Sequence, residues 1–385
     1  MEIRCDLCAS PGLESVYPVP DSPLGAEILL CPACGLLQSR YTKPKPAGKV
    51  QRLSSGPDWG NVRHGKGLRL KPNLEFIRGH ADPAGWRRLL DVGSNRGHFC
   101  LQALADWPVE RIVAIEPDPD IVAPYRDREK LVFLGQRFEH TDLGGETFDF
   151  IYCSHTLEHA ASARQMLAGL RRLLRPDGRL FLEVPSVRIL DNTDHLEEFF
   201  IDKHTFHFHP ATLAAAVRHA GFGIVAETPP ADANHVTLLL RSAPAGTAAP
   251  AFPAGLGETA AAIRRSLAHY TANLAANRQK LATALTKIEF LVGRQKVAFW
   301  GAGRQLDAFL RHTGFDPRRV AAVIDEHLHG IIAEVGGAAL RPPDVLRTLS
   351  PQVVVAFARQ AYPEIARRCR SYGVKNVIRF SDLLD

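Results

Sequence analysis

A short glycine-containing loop has the residue types best suited to hold a ligand. The apolar run RLLDV ends at Val92 and is followed by GSNRG, residues 93–97, here called the glycine loop. The run predicts a short buried strand, and the residues from His98 onward predict a helix above its carboxyl end. Glycine lets the backbone approach a ligand closely, and a helix N-terminus offers unpaired N–H groups to a carboxylate or phosphate. The pattern therefore suits a nucleoside-like ligand.

An acidic residue follows the next predicted strand. Residues 111–115 form a second apolar run, and Glu116 comes directly after it. A carboxylate at this point of a βαβ unit can accept hydrogen bonds from both ribose hydroxyls, although a surface glutamate that caps the strand is an alternative. The glycine loop lacks the G-x-G-x-x-G pattern of dinucleotide sites. We therefore expect S-adenosylmethionine, which carries no pyrophosphate.

Four of the seven cysteines form two C-x-x-C pairs. Cys5, Cys8, Cys31 and Cys34 have the spacing C-x2-C-x22-C-x2-C. This spacing brings four thiolates within reach of one tetrahedral Zn(II) in a small ribbon, and four protein ligands leave no open position for catalysis. We expect a structural zinc. Disulfides are an alternative that a reducing compartment disfavours, and a redox pair would need only one of the two motifs.

Histidines and phenylalanines are interleaved in residues 198–210, EFFIDKHTFHFHP, here called the histidine segment. Histidine titrates near neutral pH, so an imidazole of His204, His207 or His209 could act as a general base over a flat ring or a sugar. Lys203 lies beside them and belongs to the predicted catalytic set. Two alternatives stay open. One is a metal site, although side chains that alternate along an extended segment point in opposite directions and so disfavour it. The second is a buried loop whose histidines bond to backbone groups.

Buried strands alternate with helices through residues 89–184, which predicts an open parallel α/β sheet. Ligands bind such sheets at the carboxyl ends of the strands, near the point where the strand order reverses. Phe138, Ser154 and His155 follow predicted strands. We therefore expect them to face the same crevice as Gly93.

A second α/β segment lies at the C-terminus. Residues 242–257 are rich in Ala, Pro and Gly and predict a linker, and residues 258–292 have the apolar spacing of one long helix. The sequence GAG at 301–303 follows the next predicted strand, and Asp325 ends a later one. This predicts a smaller Rossmann-like unit. Because its pattern lacks a third glycine, we expect it to shape a pocket or help hold a nucleotide-linked substrate rather than a dinucleotide.

Composition and charge narrow the class of protein. The chain has 385 residues, enough for two or three domains, and 45% hydrophobic with 23% charged residues is ordinary for a globular protein. No apolar run approaches the roughly 20 residues that span a bilayer, and the first residues carry no signal-peptide apolar region, so we expect a cytoplasmic protein without a membrane partner. The net charge of +6 is scattered along the chain, so nucleic acid is not an expected partner. No feature specifies an oligomeric state.

The order of these features resembles the deoxysugar C-methyltransferase family, whose members act on nucleotide-linked 4-keto sugars. The shared features are the four-cysteine module, the D-V-G-S-N-R-G loop, E-V-P ahead of a histidine-rich loop, and the C-terminal G-A-G unit. The family's loop typically reads E-I-G-S-N-D-G, so this chain departs from it mainly at Asp91 and Arg96. The resemblance covers nearly the whole chain.

The resemblance implies S-adenosylmethionine on the glycine loop, with Glu116 on the ribose. The family's catalytic loop carries a His-Glu-His-Tyr-Ser-Tyr type run, of which residues 202–207 keep only His204, and Leu53 stands where the family has an upstream tyrosine. Lys203 and His207 could do analogous work. The full predicted cofactor site comprises Asp91, Gly93, Ser94, Asn95, Gly97, Glu116, Phe138, Ser154 and His155.

We therefore predict an α/β protein with a zinc ribbon (1–45), an S-adenosylmethionine-binding class I methyltransferase domain (46–241), a linker (242–257), and a long helix with a Rossmann-like substrate domain (258–385). The predicted reaction is methyl transfer to a nucleotide-linked sugar with His204 as base. The resemblance implies C-methylation, and O- or N-methylation are alternatives. Two competing hypotheses are an NAD-dependent oxidoreductase that uses loop 301–303 and a non-catalytic scaffold whose zinc ribbon recruits RNA.

Overall fold

Two compact units make up the chain in the computed structural model. The described residues within Met1–Ser55, Gly67–Asp191 and Phe200–Leu267 form the first unit, and those within Asn192–Phe199 and Ala268–Asp385 form the second. Leu53 lies outside the described residues, and so does part of the predicted linker (242–257). The structure describes residues 3–20, 22–44, 69–118, 122, 125–229, 234–244, 251–252, 256–330, 332–358 and 361–385.

The first unit contains two sheets and the helices that cover them. Its strands are β1 (Glu14–Pro18), β2 (Ala26–Leu30), β3 (Leu37–Tyr41), β4 (Arg88–Val92), β5 (Arg111–Ile115), β6 (Leu131–Leu134), β7 (Phe148–Ser154), β8 (Leu174–Pro185), β9 (Phe206–His207), β10 (Phe222–Glu227) and β11 (His235–Ser242). Its helices are α1 (Leu70–His80), α2 (His98–Asp106), α3 (Ala163–Leu173) and α4 (Pro210–His219), together with the first part of α5 (Gly257–Val292).

The large sheet has the strand order β10-β11-β8-β7-β4-β5-β6. Strands β4 to β8 pair in parallel, whereas β11 is antiparallel to both β8 and β10. The order of the parallel strands reverses between β4 and β7. The carboxyl ends of these two strands therefore flank the crevice in which such sheets bind ligands. The doubly wound α/β fold predicted from the sequence is confirmed.

Aromatic packing fixes one face of this sheet. The ring of Phe150, in β7, stacks on Trp86 with 4.2 Å between ring centroids and meets Trp107 edge-on at 5.7 Å. Phe99 of α2 lies 5.9 Å from the same ring. Helix α2 thereby packs against the sheet from its first turn, which places its N-terminus above the carboxyl end of β4.

The small sheet of the first unit joins the cysteine module, residues 3–44, to the histidine segment. Strands β1, β2 and β3 are antiparallel neighbours, and β9 pairs with β3 so that Leu37 lies opposite His207. Residue 35 is a glycine with φ +73°, and a Cβ there would lie 2.9 Å from Thr259 Cγ2 of α5. Leu36 and Phe206 belong to the same buried apolar cluster as the large sheet. The module is thus built into the first unit.

The second unit is a smaller parallel sheet, which agrees with the predicted Rossmann-like unit. The strand order is β14-β15-β13-β12-β16-β17, and only β14 runs antiparallel to its neighbour. Its elements are β12 (Val297–Trp300), α6 (Arg304–Thr313), β13 (Ala322–Ile324), β14 (Glu334–Val335), β15 (Ala338–Arg341), α7 (Leu346–Leu349), β16 (Val353–Ala356), α8 (Tyr362–Ser371) and β17 (Asn376–Arg379).

An acidic residue anchors the loop after β12 through hydrogen bonds to backbone N–H groups. Asp325, after β13, accepts hydrogen bonds from the backbone N–H groups of Ala302 (3.1 Å) and Leu328 (2.9 Å). Gly301 has φ +107°, and a Cβ there would lie 2.7 Å from the carbonyl oxygen of Phe357. Only glycine therefore fits at this position.

Within the described residues, every helix is either too short or too polar to cross a bilayer.

We predict that Phe150→Ala lowers the free energy of unfolding of the first unit by about 3–5 kcal/mol, because it leaves a cavity among tightly packed rings. Phe150 is fully buried. Urea unfolding followed by tryptophan fluorescence reports the change directly, since Trp86 and Trp107 line the cavity. Phe290→Ala is the matched control, because Phe290 is 56% exposed, and it should change stability by less than about 0.5 kcal/mol. Equal effects of the two variants would contradict this packing.

Candidate functional site

The glycine loop has a backbone shape that requires glycine at both ends. Gly93 has φ +77°, and a Cβ there would lie 2.1 Å from Thr156 Oγ1. Gly97 has φ +71° and would place a Cβ 2.2 Å from the ring of Tyr125. The N–H groups of Gly93 and Ser94 both donate to the carbonyl of Ile115, at 2.9 and 3.0 Å. The loop is therefore anchored to the end of β5.

A buried tyrosine fastens the loop from the side. Tyr125 Oη lies 2.8 Å from Ser94 Oγ and donates to the carbonyl oxygen of Asn95 at 2.8 Å. Burial raises the pKa of Tyr125 well above its ordinary value, so the hydroxyl remains a donor at neutral pH. The tyrosine thus helps to fix the backbone on which a cofactor would lie.

Glu116 lies where the sequence predicts it, at the end of β5 beside the glycine loop. Its carboxylate accepts from the backbone N–H groups of Asn95 and Asp118, each at 3.0 Å. Burial raises its pKa to about 7. A carboxylate offers about four acceptor positions, so these two bonds leave capacity for two ribose hydroxyls.

Asp91 lies under the glycine loop, in β4. It is 1% exposed and accepts a hydrogen bond from the thiol of Cys100 at 3.1 Å. Burial raises its pKa to about 7. Because Cys100 belongs to α2, this contact joins the strand before the loop to the helix after it.

Ser154, the last residue of β7, and the residues up to His159 form a polar turn here called the post-β7 loop. Thr156 Oγ1 donates to the carbonyl oxygen of Val92 at 2.9 Å and so joins the carboxyl ends of β7 and β4. Ser154 Oγ donates to the carboxylate of Glu183. The loop therefore borders the glycine loop directly.

His155 has an unusual position in this loop. Its φ of +52° is in the left-handed region, which is strained for histidine. The imidazole is 7% exposed, with Nδ1 3.2 Å from Glu158 Oε1 and Nε2 3.8 Å from Glu183 Oε2. Burial raises the pKa of Glu158 to about 8. One imidazole thus lies between two buried carboxyl groups.

The histidine segment lies against the post-β7 loop. The Thr205 N–H donates to the carbonyl of Glu158 at 2.8 Å, and His159 Nδ1 donates to the carbonyl of Lys203 at 3.2 Å. The rings of His159 and His204 meet edge-on with their centroids 4.8 Å apart. His204 is therefore the histidine of the segment that lies beside this loop.

Two other residues of the predicted catalytic set are deeply buried. His207 is 3% exposed, and its Nε2 lies 3.1 Å from Ser39 Oγ of the cysteine module. Lys203 is also buried. A metal-ligand grouping does occur here, but its members are Glu158, His159 and His204, whose ligand atoms lie within 4.8 Å of one another. A tetrahedral ion would need these atoms closer, at about 3.3 Å.

The four cysteines of the two C-x-x-C motifs converge. Sγ of Cys5 lies 3.5 Å from Sγ of Cys34, and Sγ of Cys8 lies 3.6 Å from Sγ of Cys31. All four sulfur atoms lie within 4.8 Å of one another, and none is in a disulfide. Tetrahedral Zn–S bonds of about 2.3 Å place the sulfurs about 3.8 Å apart. The donor set and its geometry fit Zn(II).

Comparisons with known proteins concern the part of the chain that contains most of the large sheet. The profile of the methyltransferase domain family matches residues 42–227. The chain is 30% identical over 164 residues to a ubiquinone biosynthesis O-methyltransferase of Xanthomonas axonopodis pv. citri, which covers 38% of this chain and 67% of that protein. The chain belongs to the methyltransferase domain family. It is an S-adenosylmethionine-dependent methyltransferase, as predicted from the sequence.

Two further proteins are similar to parts of the methyltransferase. It is 32% identical over 124 residues to a tRNA U34 carboxymethyltransferase of Syntrophotalea carbinolica, a match that spans 31% of this chain and 36% of that protein. A solved 1,6-didemethyltoxoflavin-N1-methyltransferase of Burkholderia thailandensis, with bound S-adenosylhomocysteine, covers 49% of this chain and 80% of its own at 22% identity and a TM-score of 0.36.

The methyltransferase brings most of its predicted cofactor residues together. Ser94, Asn95 and Glu116 are linked around the ends of β4 and β5, and Ser154 and His155 follow β7 beside them. Phe138 has a different environment: its ring packs against α3, where a Cβ on Gly169 would lie 3.0 Å from Phe138 Cε1. The roles of these residues in binding S-adenosylmethionine stay predictions.

Sequence reasoning missed several residues of the site. Tyr125 and Thr156 carry no spacing signal, because their importance depends on contacts with distant backbone. Glu158 and His159 had a signal, since a carboxyl and an imidazole directly after a strand at the switch point are candidates for proton transfer. Glu183 had a similar signal, because it lies two residues before the end of β8.

We predict that the methyltransferase binds S-adenosylhomocysteine more tightly at pH 8 than at pH 6. Below the Glu116 pKa of about 7 the carboxyl is protonated and loses acceptor capacity, and above it the carboxylate can accept from the ribose. Glu116→Gln should weaken binding about tenfold or more at pH 8 and remove this pH dependence. Isothermal titration calorimetry at pH 6, 7 and 8 measures both effects.

Glu110→Gln is the matched control for this titration, because the Glu110 side chain is 72% exposed. It should leave the affinity and its pH dependence unchanged. If Glu116→Gln binds as tightly as the control at pH 8, Glu116 does not contact the ribose.

Proposed function

We propose that this methyltransferase methylates a nucleotide-linked sugar and that His204 is its general base. One observation carries the proposal: the His204 ring lies against His159 of the post-β7 loop, and Thr156 of that loop bonds to the strand end from which the glycine loop begins. A base at this position is close to the expected cofactor site.

In the proposed reaction, His204 takes the proton from the acceptor atom, and that atom forms a bond to the methyl group. S-adenosylmethionine supplies the methyl group from its sulfonium and leaves as S-adenosylhomocysteine. The imidazolium formed on His204 lies beside His159, whose Nε2 is 3.9 Å from the carboxyl of Glu158. Holding base and acceptor in place supplies much of the acceleration.

The sugar acceptor is supported by the resemblance to deoxysugar C-methyltransferases and by a net charge of +6, which favours anionic ligands. The named relatives favour two other acceptors, because one acts in ubiquinone biosynthesis and the other on tRNA. An O–H acceptor would use the same base. This proposal also includes the domain limits predicted from the sequence, a substrate role for the second unit and a cytoplasmic location.

Labelled S-adenosylmethionine and mass spectrometry test the proposal on three acceptor classes: nucleotide-linked 4-keto sugars, hydroxylated quinone precursors and tRNA. We expect one methyl group on a sugar. His204→Gln should lower its turnover roughly 100-fold or more while S-adenosylhomocysteine still binds. His80→Gln, on the exposed end of α1, is the control and should leave turnover unchanged.

Three results would overturn parts of this proposal. Methylation of only a quinone precursor or only tRNA replaces the sugar as acceptor. Full turnover by His204→Gln removes this residue as the base. Loss of turnover with a chelator while the zinc content stays at one ion per chain, restored by a divalent cation, would show that Glu158, His159 and His204 hold an ion instead.

We also propose that Cys5, Cys8, Cys31 and Cys34 hold one structural Zn(II). Support comes from the sulfur separations and from the contacts around the second motif, where Thr212 Oγ1 donates to the carbonyl oxygen of Cys34 at 2.8 Å. The ion would close the end of the small sheet.

Elemental analysis should find one zinc per chain, and Cys31→Ser should lose it, because three thiolates with a serine bind Zn(II) far more weakly. Cys369→Ala is the control, since Cys369 belongs to the second unit and to neither C-x-x-C motif. It should retain the metal. Equal zinc content in both variants would refute the assignment.

A further inference from the structure

The backbone of the histidine segment is held by strand β3 of the cysteine module. Beyond the Leu37–His207 pair, the N–H of Ser39 donates to the carbonyl of Thr205 at 2.8 Å. These bonds end one residue from His204. The module therefore reaches the segment at the point where the proposed base is located.

Two side chains of β3 bind the backbone of His204 itself. Ser39 Oγ donates to the His204 carbonyl at 2.8 Å. Tyr41 Oη lies 2.9 Å from the same carbonyl oxygen and 3.0 Å from that of Asp202. Burial raises the pKa of Tyr41 to about 12, so its hydroxyl keeps its proton at neutral pH.

The residue on the other side of Lys203 is anchored as well. The carboxylate of Asp202 accepts from Ser22 Oγ at 2.5 Å and from the Leu24 N–H at 3.2 Å. Asp202 and Ser22 are both partly or fully buried, so these bonds are shielded from water. The cysteine module thus fixes the chain on both sides of the position from which the His204 side chain extends toward His159.

We infer that Ser39 and Tyr41 are positioning residues that hold the imidazole of His204 against His159 through the His204 carbonyl. This inference rests on the proposed role of His204. The cysteine module then sets the geometry of the acceptor side of the site, whereas Tyr125, Ile115 and Glu116 set that of the glycine loop. The two halves are held by different residues and should respond separately to substitution.

The test compares the double variant Ser39→Ala/Tyr41→Phe with the unmodified full-length chain. Labelling histidine with carbon-13 at Cε1 alone gives one ring C–H cross-peak per histidine, and His204→Gln assigns that of His204. We expect this cross-peak to shift or broaden in the double variant. The zinc content should not change, and the dissociation constant for S-adenosylhomocysteine should change less than twofold.

Two further variants separate positioning from plain structural support. The variant Ser39→Thr keeps a hydroxyl at residue 39 and leaves Tyr41 unchanged. Its His204 cross-peak should therefore match that of the unmodified chain. Tyr125→Phe should weaken S-adenosylhomocysteine binding several-fold and leave the His204 cross-peak in place.

The inference is overturned if the double variant has a lower melting temperature but an unchanged His204 cross-peak. It is also overturned if S-adenosylhomocysteine binding falls as much as in Tyr125→Phe, because the two halves would then not be separate. Turnover reports independently: full activity of His204→Gln defeats the proposed base, whereas the cross-peak measurement still decides whether Ser39 and Tyr41 position the ring.

Discussion

The close approach of β4 and β7 at their carboxyl ends determines the rest of the site. Thr156 bonds to the Val92 carbonyl, and its hydroxyl then occupies the space that a Cβ on residue 93 would need. Glycine at 93 is thus a consequence of this contact. The loop must leave the sheet with a left-handed residue, which turns its backbone N–H groups toward the end of β5.

Several carboxyl groups are buried under this crevice, and each costs desolvation free energy. Glu116 offsets part of that cost with two backbone N–H bonds, and Glu183 does so with Ser154 and Asn73. Asp91 accepts from the thiol of Cys100, which is a weak donor. The raised pKa values of Asp91, Glu116 and Glu158 reflect the desolvation that these bonds leave uncompensated. These groups bind more protons folded than unfolded between their ordinary and raised pKa values. The folded state therefore loses stability as the pH rises through this range, up to about pH 8.

The sequence was informative wherever the signal is local. Strand β5 has the predicted bounds 111–115, and the long helix predicted over 258–292 begins one residue earlier, at Gly257, because apolar periodicity is read from neighbouring residues. The positions of the glycine loop and of Glu116 at strand ends were predicted for the same reason. The pairing of β9 with β3 could not be predicted, since a two-residue strand has no periodicity and its partner is far away in the sequence. For the same reason the sequence did not separate His204 from His207.

The small sheet has a consequence for how the enzyme is made. Ser39 and His204 are 165 positions apart. Closing a loop of this length costs chain entropy before any contact is gained, so such pairings form late in folding. Strands β1, β2 and β3 are synthesised before the large sheet. Strand β9 can pair with β3 only after β4 to β8 have also been synthesised. A nascent or partly folded chain could therefore hold a finished glycine loop while its edge strand β3 is still open to pairing with another chain. Completion of the small sheet and protection against aggregation would then be the same event.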